Sequence, residues 1–550
     1  MRSGLLTVIA AVSLVASPAR AQHPHEMAAG DTATGPPLYR NLGSWTHPVT
    51  TRSKLAQKYF DQGLRLYYGF NDDEATRAFR EAGRLDPTCA MAWWGVALAA
   101  GPNINMPMDA EHGTTALVAI GKAIELAPGA RGSDLAYIMA LSVRYAANPK
   151  TSRGVLDSAY CSSMRLLAKR YPTDADAGAL FAESILDLSP WNQWANDGKP
   201  YPGTLEAVAT LEAILKRHPN HPGANHFYIH AVEASSDPAR ALAAAKRLET
   251  LVPGAGHLVH MPSHIYARTG RYAAALRQNR RAVAVDERFI AAQKPAGVYP
   301  LMYYNHNIQF VWFAALMEGR SAEALAAARK LAGNVPPEVV AQMPMLEFVP
   351  PLPVLTLVCF GHWDEALAEP GPPASQRYAT GIWHYARGVA LAATGDLDRA
   401  DSALDTLQAI TATTPADMAI SINYAAPLLR IASNALAGEI AARRGGIDEA
   451  VRRLRLAVAM EDSLHYDEPP TWYSPVRHAL GAVLLKAGRP KDAEAVYRDD
   501  LKRHPENGWG LIGLWKALEA QDRGPEALAV KARFRRAWSH ADVMLAASEF

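Results

Sequence analysis

From about Ser53 to the end of the chain, apolar and small residues recur at three- and four-residue spacing, in blocks separated by short polar breaks rich in Gly and Pro. That is helical periodicity. Ala and Leu are plentiful and long Val/Ile/Thr alternations are missing, so the chain is predicted to be all-α. The blocks also repeat, with small residues at matched places. The first block has Gly63, Ala75 and Ala82, with Phe79 between them and Pro87 as a helix stop. The ladder returns at Ala116, Ala123 and Pro128, at Ser263, Ala275 and Ala282, and at Gly388 and Ala400. It appears again at Gly438, Ala450 and Ala457, at Gly481, Ala493, Tyr497 and Pro505, and a last pair holds Trp509 and Gly513. Small residues suit two helices that must approach closely, and large ones plug the gaps between them. The pattern predicts a curved, right-handed stack of antiparallel helical hairpins, with loops near 101–109, 190–203 and 334–353.

A chain of 550 residues is too long for one compact core, whereas a stack in which each repeat packs on its neighbours has no such limit. The ends and seams divide it further. Arg2, the apolar run Leu5 to Ala16 and the small residues of Ala19-Arg20-Ala21 read as a signal peptide over 1–21. The run is short for a membrane span, so a periplasmic or secreted protein is expected. Residues 22–52 lack periodicity and read as a flexible arm, which includes His23 and His25. Helical stacks are expected over 53–335 and 354–550, with a Pro-rich seam between them and one superhelix running through both. Cys89, Cys161 and Cys359 are too few and too scattered for a disulfide framework and read as buried thiols. A net charge of +2 and the lack of a basic, aromatic-interleaved cluster give no case for nucleic acid.

The chemistry concentrates between Asn225 and His306. His226, His230 and Glu233 are spaced i, i+4, i+7, and His257, His260 and His264 are spaced i, i+3, i+7, so each set shares one helical face. His226 and His260 lie 34 residues apart, as do His230 and His264, and Ala241 and Ala275. His306 precedes Gly319 by thirteen residues, the offset that separates His257 from Gly270, and Gln309 stands where the other repeats carry His226 and His260. Glu183 and Asp187, one turn apart, read as a solvated pair.

The small-residue ladder and the 34-residue period resemble the tetratricopeptide repeat (TPR) superfamily. Ala92-Trp93-Trp94-Gly95, Gly101-Pro102-Asn103-Ile104-Asn105, the run from His257 to Tyr266, and Asn507-Gly508-Trp509 resemble a group of exported bacterial TPR proteins. The resemblance implies a TPR-type α-solenoid and no particular activity. It also implies that the histidine faces, together with Arg268, look into a concave groove where a ligand binds.

Imidazoles on one rigid face make a preorganised metal site, and Zn, Cu or Fe all accept them. Without a nearby Cys, a thiolate site is excluded. Glu233 is placed to ligate directly or to hold an imidazole N–H. His226-Phe227-Tyr228-Ile229-His230 has the histidine spacing of a zinc-peptidase helix, but Phe227 stands where such an enzyme needs its general-base Glu. Two functions therefore remain open. One is a scaffold whose His-rich groove binds a peptide, a partner protein or a small ligand, with Arg268, Gln309 and His306 among its contacts and one transition metal ion as a possible aid. The other is a metal-dependent hydrolase or oxidoreductase in the same groove, with Glu233 as its catalytic group.

Overall fold

The computed structural model describes residues 35–148, 150–295 and 297–550. Among them helix dominates, and the only strands form a two-residue antiparallel ladder, Ala419–Ile420 with Asn423–Tyr424. The protein is a TPR-type all-α solenoid. Residues 1–34 are not described, and the leader expected over 1–21 falls among them. No helix of the described residues is long and apolar enough to cross a membrane.

The ladder of small residues does what close helix approach requires. Phe79 fills the space between two helices and is flanked by Gly63 and Gly95, where an added Cβ would come within 2.7 and 2.4 Å of its ring. Tyr497 plays the same part between Gly481 and Gly513, each leaving only 2.2 Å. A side chain at any of these glycines would push the hairpin apart.

Three features of the fold differ from the sequence expectation. Residues 35–52 have no helix or strand, yet they are not a free arm. Leu42 and His47 are buried, Tyr39 donates to Glu74 at 2.7 Å, and the Thr50 amide donates to Asp134 at 2.8 Å. Polar side chains on the helices supply the hydrogen bonds that this segment cannot make for itself. Second, Glu183 and Asp187 are buried: Glu183 accepts from the Tyr67 hydroxyl at 2.7 Å, and Asp187 pairs with the buried Arg144 at 2.8 Å. Third, the seam is not a bare loop, since helix Pro337–Gln342 lies within it and helix Leu352–Cys359 begins in it.

The C-terminal half also returns to the middle of the chain. Trp509 donates to the Leu316 carbonyl at 3.1 Å, Asp542 accepts from the Ser321 and Ala322 amides, and Asn196 donates to the carbonyls of Asp462 and Leu464. The segment 463–475, which has no regular helix, is thereby laid over the histidine helices.

Candidate metal centre

Three neighbouring helical segments deliver the six histidines. Helix Pro222–Val232 starts on two devices: Pro222 in its first turn, and His221, whose Nδ1 accepts from the Ala224 amide while its Nε2–H reaches Asp176. It carries His226 and His230. The next segment is split by Pro262, whose missing N–H ends Gly256–His260 and opens Pro262–Arg268. It carries His257 and His260 on the first piece and His264 on the second. His306 lies on Tyr304–Met317, directly after a π-helical turn at Tyr299–Tyr303.

The rings form two triads. His226, His230 and His257 make one, and His260, His264 and His306 the other; within each, one nitrogen per ring lies within 4.8 Å of the others. All are buried except His306, which is partly exposed. The sequence expectation of an open groove therefore gives way to an enclosed cluster. Phe70 stacks on His257 and meets His226 edge-on, Trp191 stands edge-on to His230, and Phe310 packs on His260, His264 and His306.

Four of the rings have their tautomer fixed by the acceptor behind them. His226 Nδ1–H donates to the Tyr68 carbonyl at 2.7 Å. His260 Nδ1–H donates to Asn279 Oδ1 at 2.6 Å, and that amide is oriented because its Nδ2 donates to the Ala275 carbonyl and to Ser263 Oγ. Glu233 takes the other two, with His230 Nδ1–H on one carboxylate oxygen at 2.7 Å and His264 Nδ1–H on the other at 2.5 Å. In the neutral rings each Nε2 is then a lone pair facing the cluster.

The lone pairs of His260 and His264 face each other, and that of His226 faces His257, whose own tautomer no acceptor fixes. His260 and His264 bring their Nε2 atoms to 2.7 Å, and His226 and His257 bring theirs to 3.1 Å. A single proton added to His264 would satisfy the first pair. His230 Nε2 and His257 Nδ1 would still be buried without a partner, each at a cost of about 1–3 kcal/mol. Cations held among the rings would meet the lone pairs at both contacts and that of His230.

Electrostatics agree with that reading for five of the six rings. Burial, reinforced by the neighbouring imidazoles, holds His226, His257 and His260 well below the usual histidine range and takes His306 down to about 3. Burial also lowers His230, against the pull of Glu233. These rings are neutral and free to ligate near neutral pH. For His264 the same burial is outweighed by the Glu233 charge and hydrogen bond, which raise it. Burial would raise Glu233, but His264 and the hydrogen bonds from both rings bring it down to about 2.

Glu233 thus orients one ring of each triad through both its oxygens, and this occupation replaces the direct-ligand and free-base roles expected for it. Arg268 is not aimed at the cluster: its guanidinium donates to the carbonyls of Glu233 and Ser235 and lies 5.4 Å over the Tyr466 ring. Gln309 lies beside His306 on the wall of a largely apolar cleft of about 160 Å³, together with Trp191, Met302 and Phe348. Of the six histidines, His306 alone lines that cleft. Sequence reasoning did not find Tyr68, Asn279, Tyr466 or Glu468. Tyr466 donates to Glu468, and Glu468 is raised to about 7, chiefly by burial. Only the polarity of segment 463–475 hinted at these last two.

No family model matches the chain, and no curated protein sequence matches it. Among solved structures it is similar to the human IFIT1 dimer with m7Gppp-AAAA, at TM-score 0.34 and 11% identity over 89% of this chain and 91% of that one. It is also similar to yeast Tom70, at TM-score 0.32 and 12% identity over 88% and 98%, and to the APC/C hetero-tetramer Cut9-Hcn1, at 0.31 and 14% over 89% and 78%. At these scores the likeness carries no argument, and the fold rests on the hairpins themselves.

Proposed function

We propose that this protein is a metalloprotein, in which a TPR-type scaffold holds transition metal on the buried histidine cluster and presents it to a small ligand entering beside His306. The observation that carries the reading is the pair of opposed Nε2 contacts, 2.7 Å between His260 and His264 and 3.1 Å between His226 and His257, on rings three of which have Nδ1 already committed to an acceptor. Such outer hydrogen bonds are how proteins set the tautomer of a metal-bound imidazole.

The donor set favours nitrogen-loving ions, Cu, Zn or Fe. The burial of the rings supports a small molecule over a peptide or protein partner, because Tyr466 of segment 463–475 reaches Glu233 and covers the cluster from that side. The cleft walls support a largely apolar ligand with one coordinating atom. Between a carrier and an enzyme, the commitment of Glu233 to two imidazole N–H groups speaks against hydrolysis with Glu233 as base.

Metal analysis of protein prepared without a histidine tag tests the reading. Wild type is expected to carry near-stoichiometric transition metal, or to retain it after reconstitution with Cu, Zn or Fe. The double change His230→Ala with His264→Ala is expected to lose it while the helical circular dichroism stays unchanged. Wild-type protein that retains none of the three metals contradicts the proposal.

A further inference from the structure

We infer that the histidine cluster is a binuclear centre, with one ion on His226, His230 and His257 and a second on His260, His264 and His306. The inference rests on the metal reading above and deepens it from the presence of metal to its number and arrangement.

The distances decide the count. Bonds from such an ion to imidazole nitrogen are about 2.0–2.1 Å, so two ligands of one ion stand at most about 4.2 Å apart. The ligand nitrogens fall into two groups, each within 4.8 Å, so each group would draw in by a few tenths of an ångström to close around an ion. The separation lies in the nitrogen positions and not in the ring centres: centroids stand up to 6.3 Å apart within the first triad and 5.8 Å within the second, and 5.7 Å apart across them for His257 with His260 and for His230 with His264. One ion cannot reach all six rings, and an ion on either triad leaves the other set of lone pairs buried and unmet.

The support behind the rings is also divided in two. His226 and His260, the leading residues of the two triads, are each fixed from their own side, by the Tyr68 carbonyl and by Asn279. Glu233 is the one group shared, with one oxygen for His230 of the first triad and one for His264 of the second. Its single negative charge lies between the two positions, where it offsets part of the repulsion between neighbouring cations.

The chemistry of the ligands narrows the metal. Three imidazoles per ion, with His264 giving up its second proton to bind, with no thiolate and with the central carboxylate occupied by N–H groups, suit copper best among the divalent ions, whose affinities at nitrogen sites peak there. Each copper ion would keep at least one open position, and the second faces the cleft at His306. The ligand class is a small molecule or anion able to reach that position.

The test is a copper titration of chelator-stripped, tag-free protein, with bound copper counted by mass spectrometry after removal of the free ion. Wild type is expected to hold two equivalents. His226→Gln with His257→Gln, and separately His260→Gln with His306→Gln, are each expected to hold one. Paramagnetic resonance of the cupric forms gives a second readout: each single-triad variant should show one full mononuclear signal with nitrogen splitting. One equivalent in wild type, lost from both variants, overturns the two-ion arrangement and leaves the metal reading standing. No copper, zinc or iron in wild type removes both. The wild-type count decides even if a variant fails to fold.

Discussion

His226 and His260, one repeat apart, both give their Nδ1 hydrogen to an oxygen behind the ring, at 2.7 and 2.6 Å, and both turn Nε2 to a second imidazole. The repeat has carried the side chain and its orientation together, although the acceptors differ: a backbone carbonyl in one case and an Asn amide in the other. A solenoid makes this possible because equivalent positions on successive hairpins sit at equivalent heights.

Glu233 holds both triads, so its loss should weaken both. Glu233→Gln keeps the shape but removes the charge and can accept from only one ring without turning its NH2 toward the other. Metal affinity is expected to fall about 10–100-fold, with helicity unchanged, as measured by competition with a chromophoric chelator. Unchanged affinity would show that the carboxylate plays no part in orienting the rings.

The packing ladder predicts a stability effect far from the metal. Gly481→Val places a branched side chain where even a Cβ comes within 2.2 Å of the Tyr497 ring. Overpacking of this kind costs about 1–3 kcal/mol, so the thermal midpoint should drop while metal content per folded chain holds. Gly524→Ala, at a position with no atom within 4 Å of an added Cβ, serves as the control and should cost far less.

The N-terminal segment carries a pH signature. His47 donates to Asp176 at 2.9 Å; burial lowers its pKa, but the bond and charge of Asp176 outweigh that and push it up to about 9 from 6.5. A raised histidine contributes stability that is fully present below pH 6.5 and lost as pH rises through about 9. Asp176 moves the other way: burial raises it, but hydrogen bonds from His221 and His47 hold it far below the ordinary carboxylate range, so its contribution is lost only in acid. Denaturant melts of wild type and His47→Gln should therefore differ most below pH 6.5 and converge above about 9. A gap that widens with rising pH would contradict the assignment.

Access to the second triad is predicted to run beside Met302 and Phe348, which share the cleft with His306. Met302→Trp should leave the metal count unchanged and slow the binding of azide, followed as an absorbance change on the copper-loaded protein. Equal azide rates in the two proteins would place the entrance elsewhere.

The fold was legible because its signal is local: Gly63, Phe79 and Gly95 report a hairpin contact within a few tens of residues, and periodicity exposes it. The six histidines were legible for the same reason, since helical spacing and the 34-residue period place them on one side of adjacent helices. What closes the site was not. Tyr68 contributes through its backbone carbonyl, which no side-chain pattern encodes, and Tyr466 and Glu468 come from an irregular segment more than 200 residues beyond Glu233. Residues 35–52 looked free because they lack periodicity, yet their hydrogen bonds are met by carboxylates such as Asp134 and Asp176 on distant helices. Pairings of that kind leave no trace in local spacing.

The most direct test of the central claim is anomalous diffraction at the copper edge from crystals of the reconstituted, tag-free protein. The account predicts two peaks inside the ring of six histidines, one bounded by His226, His230 and His257 and the other by His260, His264 and His306. Metal found only at exposed histidines such as His112 or His540, with no peak among the six, would contradict it.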